Sequence, residues 1–225
     1  MSLAQELQAR SAAARRSLAV EHIPIFDLGI EWLRSSGAIS AALRAGEVMP
    51  DFALPDVLGG TVSADGLLDR GPAVLTFFCG SWCSLCAATL LAYGRIAPQV
   101  VETGGRLAAV TMERPDATRT FADAAALGYP LLSDADGRVC KLFGLLYALP
   151  APLVRVHREL GIDLPHRNAN GRWELPLAAT YVVSSDGMVD FAVVDADHAR
   201  RAEPDDVLVA VARLAQASPP PSKAS

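Results

Sequence analysis

The apolar positions of this chain change period twice. From residue 1 to about 45 they recur at loose helical spacing. Leu3, Leu7, Ala14 and Leu18 mark a first helix, and Ile30, Leu33, Ile39 and Leu43 a second covering roughly 29–45. This stretch is expected to be a helical packing arm or a dimer contact. Val48 to Pro55 then reads as extended, closed by a turn at Gly59-Gly60. From Ala73 the pattern alternates. An unbroken apolar strand, Ala73–Phe78, leads into a helix from near Trp82 towards Val101, and a strand at Arg106–Thr111 follows. A helix from about Asp116 to Leu127, ending at Gly128, precedes a short extended piece at Pro130–Leu132 and a short helix at Val139–Phe143. Strands Thr180–Val183 and Met188–Val194 flank Asp186-Gly187, a strong hairpin signal. A closing helix, Pro204–Ala217, keeps Val207, Leu208, Val211 and Leu214 on one face, and the tail from 218 to 225 is expected to be disordered. Strand–helix–strand first and hairpin–helix last predict an α/β fold, a central mixed β-sheet flanked by helices. The domain spans 46–217, with an insertion at about 145–175.

Composition narrows the partners. With 225 residues, 51% apolar and 20% charged, the chain can bury a real core. A net charge of −5, with only Lys141 and Lys223 as lysines and no basic cluster, argues against nucleic acid and against an acidic membrane surface. No signal-like segment opens the chain, and no apolar run approaches the ~18–20 residues that span a bilayer. A cytoplasmic protein is therefore expected.

Three of the four cysteines fall between positions 79 and 86, which looks like a site and not a framework of structural disulfides. Cys83-Ser84-Leu85-Cys86 lies just beyond the first core strand and opens the helix. Unpaired N–H groups and the positive end of a helix favour a thiolate there. A second thiol three residues away can close a disulfide on the first. The alternative, half of a zinc site, lacks a second Cys or His pair to complete a tetrahedral set. Cys79 fits a small buried hydrophobe or a third exchanging thiol, and Cys140 fits core packing or a remote resolving thiol. Trp82 is placed either over the pair or in the core. His157 and His166, among Arg155, Arg158 and Arg167 in the insertion, are expected on solvated surface. Asp134 and Asp136 read as turn formers. Glu113 and Arg114 follow the second strand at its C-terminal edge, where open sheets place ligands; of the two, Arg114 is the candidate.

Four stretches together resemble the peroxiredoxin-like branch of the alkyl hydroperoxide reductase/thiol-specific antioxidant family, within the thioredoxin superfamily. They are Met49–Pro55, Gly80–Cys86, Leu131–Asp134, and Glu174–Pro176 with Ala179–Val183; Val194–Pro204 is also similar to that branch. The resemblance covers about 46–214 and implies a thioredoxin-like fold. It implies a thiol that attacks a peroxide or a disulfide, a second thiol that resolves it, and a thioredoxin- or glutathione-type reductant, with no cofactor and no metal. Cys83 matches the first cysteine of the thioredoxin pair, and Cys86 lies nearer the peroxide-reactive position of peroxiredoxins. Cys83 is expected to be the less buried, attacking sulfur, and the assignment within the pair stays open. The chain departs from the pattern at Cys79, where relatives carry arginine, and at Ser84, where proline is usual. Ala178 stands where thioredoxins have a cis-proline and peroxiredoxins an arginine. Gly80 and Cys83 stand three residues before Cys83 and Cys86, where peroxiredoxins place Thr or Ser. These departures leave three readings: a slow thiol–disulfide oxidoreductase or peroxidase, a redox sensor or binding module on the same fold, and a cysteine cluster that binds metal. The arm and insertion suggest a homodimer.

Overall fold

The computed structural model describes residues 1–217; the expected tail, 218–225, lies outside the described residues. The order of elements is α1 (Leu3–Ser17), α2 (Ile23–Ser35), α3 (Ala38–Ala41), β1 (Ala53–Pro55), β2 (Thr61–Ser63), α4 (Ala64–Leu68), β3 (Ala73–Phe77), α5 (Ser84–Glu102), β4 (Arg106–Thr111) and α6 (Pro115–Ala125). There follow β5 (Leu131–Ser133), α7 (Arg138–Leu142), β6 (Leu146–Ala148), α8 (Ala151–Glu159), α9 (Leu164–Arg167), β7 (Glu174–Pro176), β8 (Ala178–Val183), β9 (Val189–Asp195) and α10 (Pro204–Ala217). The main sheet has the order β5-β4-β3-β8-β9. β3 runs parallel to β4 and antiparallel to β8, so it is central, and all five of its residues are buried. A strand covered on both faces needs apolar residues at every position, which is why Ala73–Phe77 shows no alternation. The expected α/β architecture is present.

Several boundaries differ from expectation for local reasons. α2 starts at Ile23, not near residue 29, because Pro24 sits in its first turn, where a missing N–H costs nothing. It stops at Ser35 because Gly37 takes a left-handed φ of +83° and opens the separate α3. α6 ends through Ala126, itself left-handed at φ +47°, two residues before the expected Gly128. α4 had no apolar period of its own; Ser63 caps it by accepting from the Gly66 N–H at 3.0 Å. The extended run at 48–52 is held by the hairpin, with the Met49 N–H donating to the Gly187 carbonyl and Val48 bridging to Met188. The segment between β6 and β7 is an ordered excursion, tied at its neck by the antiparallel pairing of these two strands.

Leu3 and Leu7 bury α1 against α5. The Leu3 and Ala4 N–H groups at its N-terminus donate to the Glu203 carboxylate at 3.0 and 2.7 Å, an anion at the positive end of a helix. Within the insertion, His157 corrects the expected surface position. It is only 8% exposed, its Nδ1 lies 2.8 Å from the Leu153 carbonyl, and its ring packs on Phe26. The spacing of Leu153, Val156 and His157 places the ring on the buried face of α8. Burial outweighs the Leu153 hydrogen bond and lowers its pKa, which favours the neutral ring. His166 is exposed, as expected. Among the described residues no helix is long and apolar enough to cross a membrane.

A candidate site of three thiols

The site begins where β3 ends. Phe78 and Cys79 continue the strand into the core, and Gly80 turns the chain at φ +156°. A Cβ at that position would collide with the Trp82 ring, so only glycine lets the indole fold back over the turn. The turn is fastened from below by Glu113, just beyond β4. This carboxylate is 1% exposed and accepts from the Ser81 N–H (2.9 Å), the Ser81 hydroxyl (3.0 Å) and the Thr118 hydroxyl (2.9 Å). Cys83 is the N-cap of α5, Ser84 its exposed first residue, and Cys86 lies inside its first turn.

This geometry brings three sulfurs together. Cys79, Cys83 and Cys86 have Sγ atoms within 4.8 Å of one another, and Cys79 and Cys86 are 3.1 Å apart. All three are free thiols. Cys79 and Cys86 are buried, Cys83 only partly so. The most exposed sulfur is not the one whose ionisation is favoured. Hydrogen bonds from the Cys79 and Cys83 thiols, assisted by the positive charge of Arg201, overcome burial and hold Cys86 well below the usual thiol range. For Cys83, a hydrogen bond from Cys79 favours the thiolate. Donation to Cys86, burial and the Cys86 charge outweigh it and push the thiol up to about 12. Cys79 is raised well above its ordinary value by donating to both partners and by burial.

Arg201 was not singled out by sequence, yet its positive charge favours the ionised form of Cys86. It lies in the loop between β9 and α10, half-buried, and its Nη2 atom is buried without a hydrogen-bond partner. The Tyr93 hydroxyl on α5 anchors that loop by donating to the Ala202 carbonyl at 3.0 Å, and Glu203 beside it caps α1. The stretch Val194–Pro204 was visible as a resemblance, but nothing in it showed that one arginine turns back to the thiols. His198 in the same loop is pushed down to about 4 by burial and by Arg201, against the opposing pull of Cys86.

The remaining candidates separate. Trp82 is half-buried against the core, with the Arg167 guanidinium 5.7 Å from its ring centroid, so the segment between β6 and β7 reaches the site. Arg167 therefore does not belong to a purely solvated face. Arg114 is exposed and pairs with Asp116, while its neighbour Glu113, passed over in sequence, fastens the turn. Ala178 is buried where β8 begins, paired in register with Asp195. Cys140 is fully buried away from the cluster and raised well above the thiol range by burial and Asp134. Asp134 forms its turn and also caps α7, accepting from the Val139 and Cys140 N–H groups at 3.1 and 2.7 Å.

A mixed sheet with a thiol cluster at the first turn of the helix that leaves its central strand defines a thiol redox protein of thioredoxin-like fold. Residues 45–192, more than half of the chain, match the AhpC/TSA family, and the chain belongs to that family. Thiol peroxidase is its enzyme class. It is 29% identical over 116 residues to a candidate peroxiredoxin of Mycobacterium tuberculosis, covering 52% of this chain and 75% of that protein. To peroxiredoxin Bcp of Escherichia coli K12 it is 28% identical over 104 residues, 46% of this chain and 65% of that one. The crystal structure of peroxidoxin BcpB from Mycobacterium tuberculosis shares the fold with a TM-score of 0.57 at 24% identity, over 76% of this chain and 98% of that one. A peroxiredoxin-like protein from Aquifex aeolicus does so with a TM-score of 0.60 at 16% identity, over 77% and 88%.

Proposed function

We propose that the chain reduces peroxides with Cys86 as the attacking thiolate and with Cys83 as the thiol that exchanges with an external reductant. The observation that carries this reading is the three-sulfur cluster itself, in which Cys86 lies 3.1 Å from Cys79 and two thiol donors and Arg201 lower its pKa. The Cys86 thiolate attacks one peroxide oxygen and the O–O bond breaks. The products are Cys86 sulfenic acid and an alkoxide or hydroxide, which takes a proton. A neighbouring thiol then attacks the sulfenic sulfur, forming a disulfide and releasing water. Cys83, the least buried of the three, is the sulfur a thioredoxin- or glutathione-type thiol can reach. Exchange there passes in two electrons and restores the thiols. The Trp82–Arg167 pair limits access to small oxidants.

The test is the rate of reaction of fully reduced protein with hydrogen peroxide, beside Cys83→Ser and Cys86→Ser. Loss of the reaction in Cys86→Ser, with sulfenic acid still formed but turnover stopped in Cys83→Ser, is the expected result. A rate no faster than a free thiol, or an unimpaired Cys86→Ser variant, would reject the reading in favour of a redox sensor, towards which the burial of Cys79 and Cys86 points.

A further inference from the structure

Peroxide chemistry needs an attacking thiol and one resolving thiol, yet this chain gathers three. Their sulfurs all lie within 4.8 Å of one another, Cys79 and Cys86 at 3.1 Å, and no His, Asp or Glu joins them among the described residues. A structural zinc site takes four protein ligands, and this cluster supplies three. Three bonds of about 2.3 Å, the length of a metal–thiolate bond, set their sulfurs about 3.5–4 Å apart at trigonal angles, inside the spread already present. Charge then selects among three-coordinate guests. Binding a monovalent or divalent soft cation through three thiolates leaves a net anion in a largely buried cluster, and uncompensated buried charge is costly.

We propose that Cys79, Cys83 and Cys86 form a three-thiol binding site for trivalent arsenic, taken up as arsenite. The product is neutral. Three As–O bonds of arsenous acid break, three As–S bonds form, and three waters leave, with no electron transferred. Each thiol proton departs with a hydroxyl group as water. Arsenous acid is small and uncharged, and enters past the partly exposed Cys83. The inference stands on the cluster alone and not on the peroxidase reading.

The experiment adds sodium arsenite to the full-length reduced chain without oxygen, and reads stoichiometry by native mass spectrometry and ligation by arsenic X-ray absorption. One arsenic per chain with three sulfur neighbours is expected. Cys140→Ser should bind as well as the parent. Cys79→Ser, with a native far-ultraviolet spectrum as folding control, should bind more weakly by more than the about 10–100-fold that losing an outer-shell partner costs. Absorption showing two sulfurs and one oxygen would overturn the proposal, leaving ordinary dithiol capture by Cys83 and Cys86. So would undiminished binding by Cys79→Ser, or zinc displacing arsenite at equal concentration. Failure here with peroxide reduction intact removes only this inference.

Discussion

Glu113→Ala tests the claim that a buried carboxylate fastens the thiol-bearing turn. The side chain is 1% exposed and receives three hydrogen bonds, at 2.9, 3.0 and 2.9 Å, from two donors on Ser81 and one on Thr118. Hydrogen bonds to a charged acceptor contribute about 1.5–3 kcal/mol each, so the gross loss is about 5–9 kcal/mol. Against this, alanine no longer holds a carboxylate out of water, a penalty of several kcal/mol. The net expectation is a loss of about 3–5 kcal/mol, comparable to removing one partner of a buried pair. Glu113→Gln retains one oxygen able to accept from Ser81 N–H and Thr118, and should lose about 1–2 kcal/mol. Urea unfolding of the reduced protein measures both. Reaction of Cys83 with a bulky thiol reagent gives a second readout, because a released Ser81 frees Trp82 and exposes the thiol. Glu113→Ala within about 1 kcal/mol of the parent, with unchanged thiol accessibility, would refute the argument.

Arg201→Met should raise the Cys86 pKa towards the ordinary free-thiol value near 8.5, seen as a shifted titration of ultraviolet thiolate absorbance; an unshifted titration removes Arg201 from the site. His198, about 4 when folded against 6.5 as its reference, binds more protons when the chain unfolds. Its contribution is fully present above pH 6.5 and is lost as pH falls towards 4, by up to about 3 kcal/mol. Comparing unfolding at pH 7 and pH 5 for the parent and His198→Asn checks this, and an equal acid loss in both contradicts it. Gly144→Ala combines a left-handed φ of +67° with a Cβ driven into the Ala41 carbonyl. It should cost about 3 kcal/mol or more, and an unchanged melting temperature would show that the backbone relaxes there.

How much of this was legible depended on the range of the interaction concerned. The two-fold covered strand Ala73–Phe77, the Asp186-Gly187 turn and the one-faced helix α10 are local signals, written in apolar period and turn chemistry. Cys83 and Cys86 stood out because three residues of helix make one turn, so their proximity is a consequence of spacing. Where α2 began was less clear, because a proline and a left-handed glycine had to be weighed against a weak apolar period.

The chain by itself determined the α/β class, the family resemblance and the position of a thiol pair at a helix start. Only the tertiary structure decided which groups meet there. Cys79 is a neighbour because β3 ends directly under the first turn of α5, and Glu113 because β4 runs parallel beside β3 and finishes level with the turn. Arg201 arrives from a loop held by Tyr93 and by the N-terminus of α1, some one hundred and two hundred residues earlier in the chain. Electrostatic and hydrogen-bond partners of a buried thiol are matters of distance in space. A linear pattern carries the period of a strand or helix, but not which distant side chain the packed core turns towards it.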